Sequence, residues 1–219
     1  MAFTLNPIEI RILGALLEKE VTTPEYYPLT LNALTRACNQ KSNRHPVVEF
    51  DEQTVVQALD GLTFDKDLAK RVISDDSRVP KYRHALTEHL NLTKPEAAAL
   101  CILMLRGPQT LGEIRGRSER LHDFADLEAV QTTLHGLMQR PSEPLVMQLP
   151  RQLGRKETRY AHLLSGPIEA EDDGMLEPAT RAWRADHERL TALEQEVASL
   201  QEELTELKQT FAVFKAQFE

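Results

Sequence analysis

Apolar residues along this chain recur at helical spacing, and the recurrence is itself repeated. Ile8, Ile12, Leu13, Leu16 and Leu17 mark one face of a first helix. Asn6, Pro7 and Glu9 precede that face as an N-cap, a first-turn proline and the third-position glutamate of a capping box. The same layout returns in LTKPEAAALCILML, where Thr93 and Glu96 form the box and Gly107-Pro108 ends the helix. Second helices are predicted after Thr30 (LNALTRAC) and after Thr110 (LGEIRGRS), the latter with Glu113 completing a box. Third helices follow Asp51 (EQTVVQALDGL) and Asp126 (LEAVQTTLHGL). In register, Val55 meets Val130, Leu59 meets Leu134, and Gly61-Leu62 meets Gly136-Leu137.

Each third helix is followed by two segments of strand character, 69–74 with 81–86 and 145–149 with 159–164. The second segment of each pair carries Tyr-x-His, as Tyr82/His84 and Tyr160/His162. Three helices and a β-hairpin, twice over, predict a mainly α fold with small β-hairpins (α+β), built as two tandem winged-helix domains at 1–88 and 89–165. Residues 166–177 read as an acidic linker. Residues 178–219 read as a long C-terminal helix. Leu190, Leu193, Val197, Leu200, Leu204, Leu207, Phe211 and Phe214 alternate three and four apart, which is a coiled-coil seam and predicts a homodimer. An amphipathic helix folded back on its own domains is the competing reading.

Charge changes this picture in one respect. The net charge of −8 lies entirely in residues 166–219, and residues 1–165 are balanced. The acidic total therefore does not exclude nucleic acid as a partner of the two repeats. No stretch approaches the roughly 18 apolar residues of a membrane span. The N-terminus carries no secretion signal pattern, so a cytoplasmic location is expected. Cys38 and Cys101 fall in helical patterns and read as buried thiols.

Catalytic chemistry finds little to use. There is no phosphate-cradling glycine loop, no paired-cysteine metal motif and no nucleophile elbow. His122, Asp123 and Asp126 read as a loop and a helix cap rather than a metal set. His84 and His162 read as a recurring packing position. Tyr26-Tyr27, between Pro24 and Pro28, reads as a rigid loop packed under the hairpin, with a partner contact as the alternative. A non-enzymatic protein with no cofactor and no metal is expected.

The third helices are poor readers of a major groove. Neither 51–65 nor 126–139 contains Lys or Arg, and the first begins with Asp51 and Glu52. Cations lie instead in loops and hairpins. The candidate nucleic-acid contacts are Lys41, Asn43 and Arg44 in the loop before the first third helix, and Lys70, Arg71, Lys81 and Arg83 in the first hairpin. Arg115, Arg117 and Arg120 end the second repeat's middle helix, and Arg151, Arg155, Lys156 and Arg159 surround its hairpin tip. Such residues grip phosphates and carry little sequence information. The expected function is a regulator that contacts double-stranded DNA through loops and wings. A winged-helix adaptor that binds another protein, without DNA, is the alternative.

Three segments also carry a family likeness: LNPIEIRILGALLEKE, TPEYYPLTLNALTRACNQKSNR and LRGPQTLGEIRGRSERLH. With them the chain resembles the YceH-like family of uncharacterised bacterial proteins over nearly its whole length. The resemblance implies a tandem winged-helix fold and transfers no catalytic or ligand residues.

Overall fold

A computed structural model describes residues 3–74, 77–150 and 157–166. The linker beyond Gly166, the heptad residues Leu190 to Phe214, and Arg151, Arg155 and Lys156 lie outside the described residues. Within them the chain is mixed α/β, mostly helical, with small antiparallel sheets.

The first repeat runs α1 (Pro7–Thr22), β1 (Leu29–Thr30), α2 (Leu31–Cys38), α3 (Glu52–Asp60), β2 (Ala69–Ser74) and β3 (Ser77–His84). A short α4 (Leu86–His89) leads into the second repeat: α5 (Lys94–Arg106), α6 (Leu111–Ser118), α7 (Leu127–Met138), β4 (Val146–Gln148) and β5 (Tyr160–His162). The helix starts follow the sequence chemistry. Asn6 and Glu9, Thr93 and Glu96, and Thr110 and Glu113 form capping boxes, while Thr30, Asp51 and Asp126 accept single backbone N–H bonds. Gly107 ends α5 at φ +70°, where a side chain would be strained.

Two features depart from the sequence pattern. The third helix of the first repeat stops at Asp60 and continues as one π-helical turn, Gly61–Asp65. Strand β1 is two residues long, too short to carry an alternation, yet it pairs with β3 to give the order β1-β3-β2. The second repeat reduces that strand to a single bridge, in which Gln109 and Tyr160 exchange both backbone bonds.

The duplication extends to individual hydrogen bonds. Leu68 N–H donates to Leu62 O as Leu145 N–H donates to Leu137 O, and Ala85 bonds Leu68 as Leu163 bonds Leu145. The first glutamate of each repeat also recurs in place. Glu9 Oε1 lies 3.2 Å from where a Cβ on Gly61 would be and meets Lys66 Nζ at 2.8 Å. Glu96 Oε1 lies 3.8 Å from the same point on Gly136 and 3.9 Å from Arg140. One carboxylate thus caps the first helix and meets a cation just beyond the glycine of the third.

One apolar core serves both repeats, and it includes Leu13, Leu16, Leu59 and Leu62 beside Leu100, Leu103, Leu134 and Leu137. Burying a leucine of this kind contributes about 1.5–3 kcal/mol. The repeats meet where α1 crosses α5. A Cβ on Gly14 would lie 2.8 Å from Leu105 Cδ2, so glycine lets the helices approach closely there. Cys101 Sγ donates to Gly14 O at 3.5 Å across the same crossing. Both cysteines are buried thiols, and burial raises their pKa values. Leu5 N–H donates to Leu164 O at 2.9 Å, tying the start of the first repeat to the end of the second.

Candidate nucleic-acid interface

Helix α1 is buried along most of its length, and that includes Arg11 and Glu18. These two residues stand seven apart, two turns of helix, and so share a face. Both are used to hold the connector between α2 and α3. Arg11 donates to Cys38 O at 3.1 Å and Pro46 O at 2.6 Å. Arg44 donates to Ala37 O through Nε and Nη2 and makes a two-pronged pair with Glu18, at 3.1 and 2.6 Å. The guanidiniums thus satisfy carbonyls left over at the end of α2. Burial raises the Glu18 carboxyl, but the bonds and charge of Arg44 outweigh it and hold the group below its ordinary value. Burial, then the neighbouring Arg44 charge, lowers Arg11 to about 10.

This geometry corrects one expectation. Arg44 is 5% exposed, with its guanidinium turned inward, and does not face an external phosphate. A bidentate buried carboxylate is a better partner than water-screened DNA. Asn43 sits at φ +58° and accepts from Arg106. Asn39 exchanges two bonds with the backbone of Phe50, at 2.7 and 2.9 Å. Of Lys41, Asn43 and Arg44, only Lys41 presents a cation to solvent.

The first hairpin keeps its cations outside. The ladder pairs Lys70 with Arg83, Arg71 with Tyr82, and Val72 with Lys81. Paired residues share a face and alternate along the strand. Lys70, Lys81 and Arg83 therefore lie on one face with Thr30, while Leu29, Ala69 and His84 lie on the core face. Arg83 pairs with Glu88 at 2.9 Å and Lys70 with Asp67 at 3.8 Å, both exposed or half-buried contacts that cost little to exchange. Arg71 is exposed at the other face.

His84 is buried under this hairpin. Its Nε2 meets Glu20 at 2.9 Å, its backbone N–H donates to the Tyr27 hydroxyl at 2.9 Å, and its Nδ1 has no partner among the described residues. The bond to His84 holds Glu20 below the usual carboxylate value. Burial raises the Tyr27 hydroxyl. Tyr27 thus packs beneath the hairpin, whereas Tyr26 is exposed.

In the second repeat, Arg115 donates to Phe124 O and Ala125 O at 3.2 and 2.8 Å. Arg117 pairs with Glu113 at 3.2 Å, Arg159 approaches the same carboxylate at 3.8 Å, and Arg120 is exposed. Sequence reasoning passed over Arg106, which joins Asn43 of the first repeat to this group. Its position as the last residue of α5, beside Gly107, reads only as a helix end. No helix among the described residues is long and apolar enough to cross a membrane, and no group of three His, Cys, Asp or Glu there can hold a metal ion.

The architecture is that of a duplicated, helix-rich α/β protein with one group of cations on a hairpin and another at the seam between its repeats. Residues 5–155 match the family described as "Protein of unknown function, DUF480", and the chain belongs to that family. It is similar along its full length to UPF0502 proteins of Pelobacter propionicus (54% identical) and Geobacter sulfurreducens (53%), covering 100% of each. A UPF0502 protein of Vibrio atlanticus is 47% identical over 95% of this chain and 97% of its own. These are bacterial families without an assigned activity.

Proposed function

We propose that the chain is a non-enzymatic, cytoplasmic bacterial protein that contacts duplex DNA through its first hairpin, within a tandem winged-helix fold of the YceH-like type. The element order α1-β1-α2-α3-β2-β3 and its near repetition support the winged-helix reading. The observation that carries the functional reading is the placement of Lys70, Lys81 and Arg83 on one outer face of a three-stranded sheet. The third helix offers DNA only Asp51, Glu52, Gln53, Gln57 and Asp60 on its exposed side, so base reading is not its task. Contact by the hairpin supplies affinity through phosphates, without sequence preference.

Binding of a random duplex, followed by fluorescence anisotropy across salt concentrations, tests this. Wild type binds at about 50 mM salt with a steep salt dependence. The K70Q/K81Q/R83Q variant flattens that slope by roughly 0.9 for each phosphate it no longer neutralises. Absence of binding at low salt, or an unchanged slope in the variant, overturns the reading.

A protein adaptor is the second reading. Phe64, in the π-helical turn, and Ile73, in β2, are 77% and 64% exposed, more apolar surface than DNA contact needs. Self-association through Leu190 to Phe214 fits either role. Truncation after Gly174 is expected to give a monomer by light scattering, and an unchanged dimer refutes the seam.

A further inference from the structure

A second group of cations lies away from the first hairpin, where the two repeats meet. The loop at 39–46 is tied to the end of α5 by His45 N–H donating to Leu105 O at 2.8 Å and by Arg106 donating to Asn43 Oδ1. Gln109, buried at the next turn, donates to the carbonyls of Arg106 and Pro108 at 3.2 and 2.9 Å, and its Oε1 accepts from Arg117. Arg117 meets Glu113 at 3.2 Å. Arg159 approaches that carboxylate at 3.8 Å and donates to Pro108 O at 3.1 Å.

Among the described residues, Arg117 and Arg159 share the Glu113 carboxylate, and Arg106 meets the Asn43 amide oxygen instead. That carboxylate is already engaged, since Glu113 Oε2 accepts the Thr110 amide of its own helix start at 2.9 Å. Arg44 lies behind the group and pairs with Glu18, which Lys19 also approaches at 3.5 Å. Counted over the described residues, three guanidiniums against Glu113 leave an excess of two positive charges on this surface. Burial, and then the charges of Arg117 and Arg44, hold the Arg106 pKa below the ordinary value, against the opposing carboxylates of Glu18 and Glu113.

We propose that Arg106, Arg117 and Arg159 form a binding site for a dianionic phosphate monoester at the junction of the two repeats. A monoester carries about −1.5 to −2 charges at neutral pH, which matches the excess. Its oxygens suit guanidinium forks held by buried amide and carbonyl partners. A phosphodiester brings one charge per phosphate and leaves a cation unbalanced. The bound group bridges α5, α6 and the residue just before β5 of the second repeat, and through Arg106 it bears on Asn43 of the first. The inference does not rest on DNA contact by the first hairpin.

Titration calorimetry of the full chain with inorganic phosphate, against chloride at matched ionic strength, tests it. Saturable binding at one site is expected. R106Q and R117Q weaken it by at least roughly tenfold, R106K weakens it less, and K81Q leaves it unchanged. Arg106 is half-buried at a helix end, so R106Q and R106K keep the test open if R117Q fails to fold. Absence of saturable heat up to about 10 mM phosphate, or equal affinity in wild type and R106Q, overturns the proposal. A random duplex provides the second arm. Duplex binding lost in R106Q without any phosphate binding by wild type assigns the group to a nucleic-acid backbone and refutes the monoester site.

Discussion

In both repeats arginines hold the connector between the second and third helices, but at different depths. In the first, Arg11 and Arg44 do so from inside, with Glu18 as counter-charge. In the second, Arg115 does so from the surface. The difference follows from α1, which packs against α2 and α3 and also against α5. Charges on such a helix lose water and need full pairing. The surface arginine keeps water as an alternative partner.

Substitutions can break or sharpen that contrast. The largest effect is expected from R44A, which removes the two-pronged partner of buried Glu18 and leaves it only Lys19, at 3.5 Å. Urea unfolding should show a loss of about 3–5 kcal/mol. R115A should cost no more than about 1 kcal/mol. Equal costs would erase the distinction between the two connectors. Next comes the seam, where G14A places a methyl against Leu105. Its strain of about 1–3 kcal/mol exceeds the helix gain of roughly 1 kcal/mol. G116A in α6 meets nothing within 4 Å and should raise stability by up to about 1 kcal/mol. Thermal midpoints moving in the same direction would refute this pair.

The repeated histidines give a subtler contrast. His84 and His162 hold matching ladder positions, opposite Ala69 and Val146, and each has an enclosed Nδ1 without a partner among the described residues. His84 meets Glu20, while burial alone lowers His162 from 6.5 to about 4. As pH falls below 6.5 the unfolded chain takes up a proton at this residue and the folded protein does not. The stability it contributes is complete above 6.5 and is lost progressively down to about 4. H162N should flatten the fall in urea midpoint across that window, and an unchanged slope would count against it. The smallest effect is K41Q, within about 0.5 kcal/mol, because Lys41 is exposed.

Much of the fold was legible in the chain. Caps at Asn6, Thr30, Asp51, Thr93, Thr110 and Asp126 act locally, so a few residues of sequence reveal them. Recurring Leu59/Leu134 and Leu62/Leu137 marked core positions in both repeats. The destination of Arg44 was not legible. Its partner Glu18 lies 26 residues earlier, and a basic loop looks the same in sequence whether its arginine points out or in. The signal available was the seven-residue spacing of Arg11 and Glu18 on a helix with little polar face. Arg106 was missed for a related reason, since only folding brings it beside Asn43, 63 positions away.

The amide of His45 belongs to a polar, exposed loop, yet it bonds to Leu105 O in the other repeat. Such an amide trades its hydrogen for deuterium only when that bond opens. Its exchange rate is therefore a built-in clock for partings of the two repeats, readable at one residue while every helix stays folded.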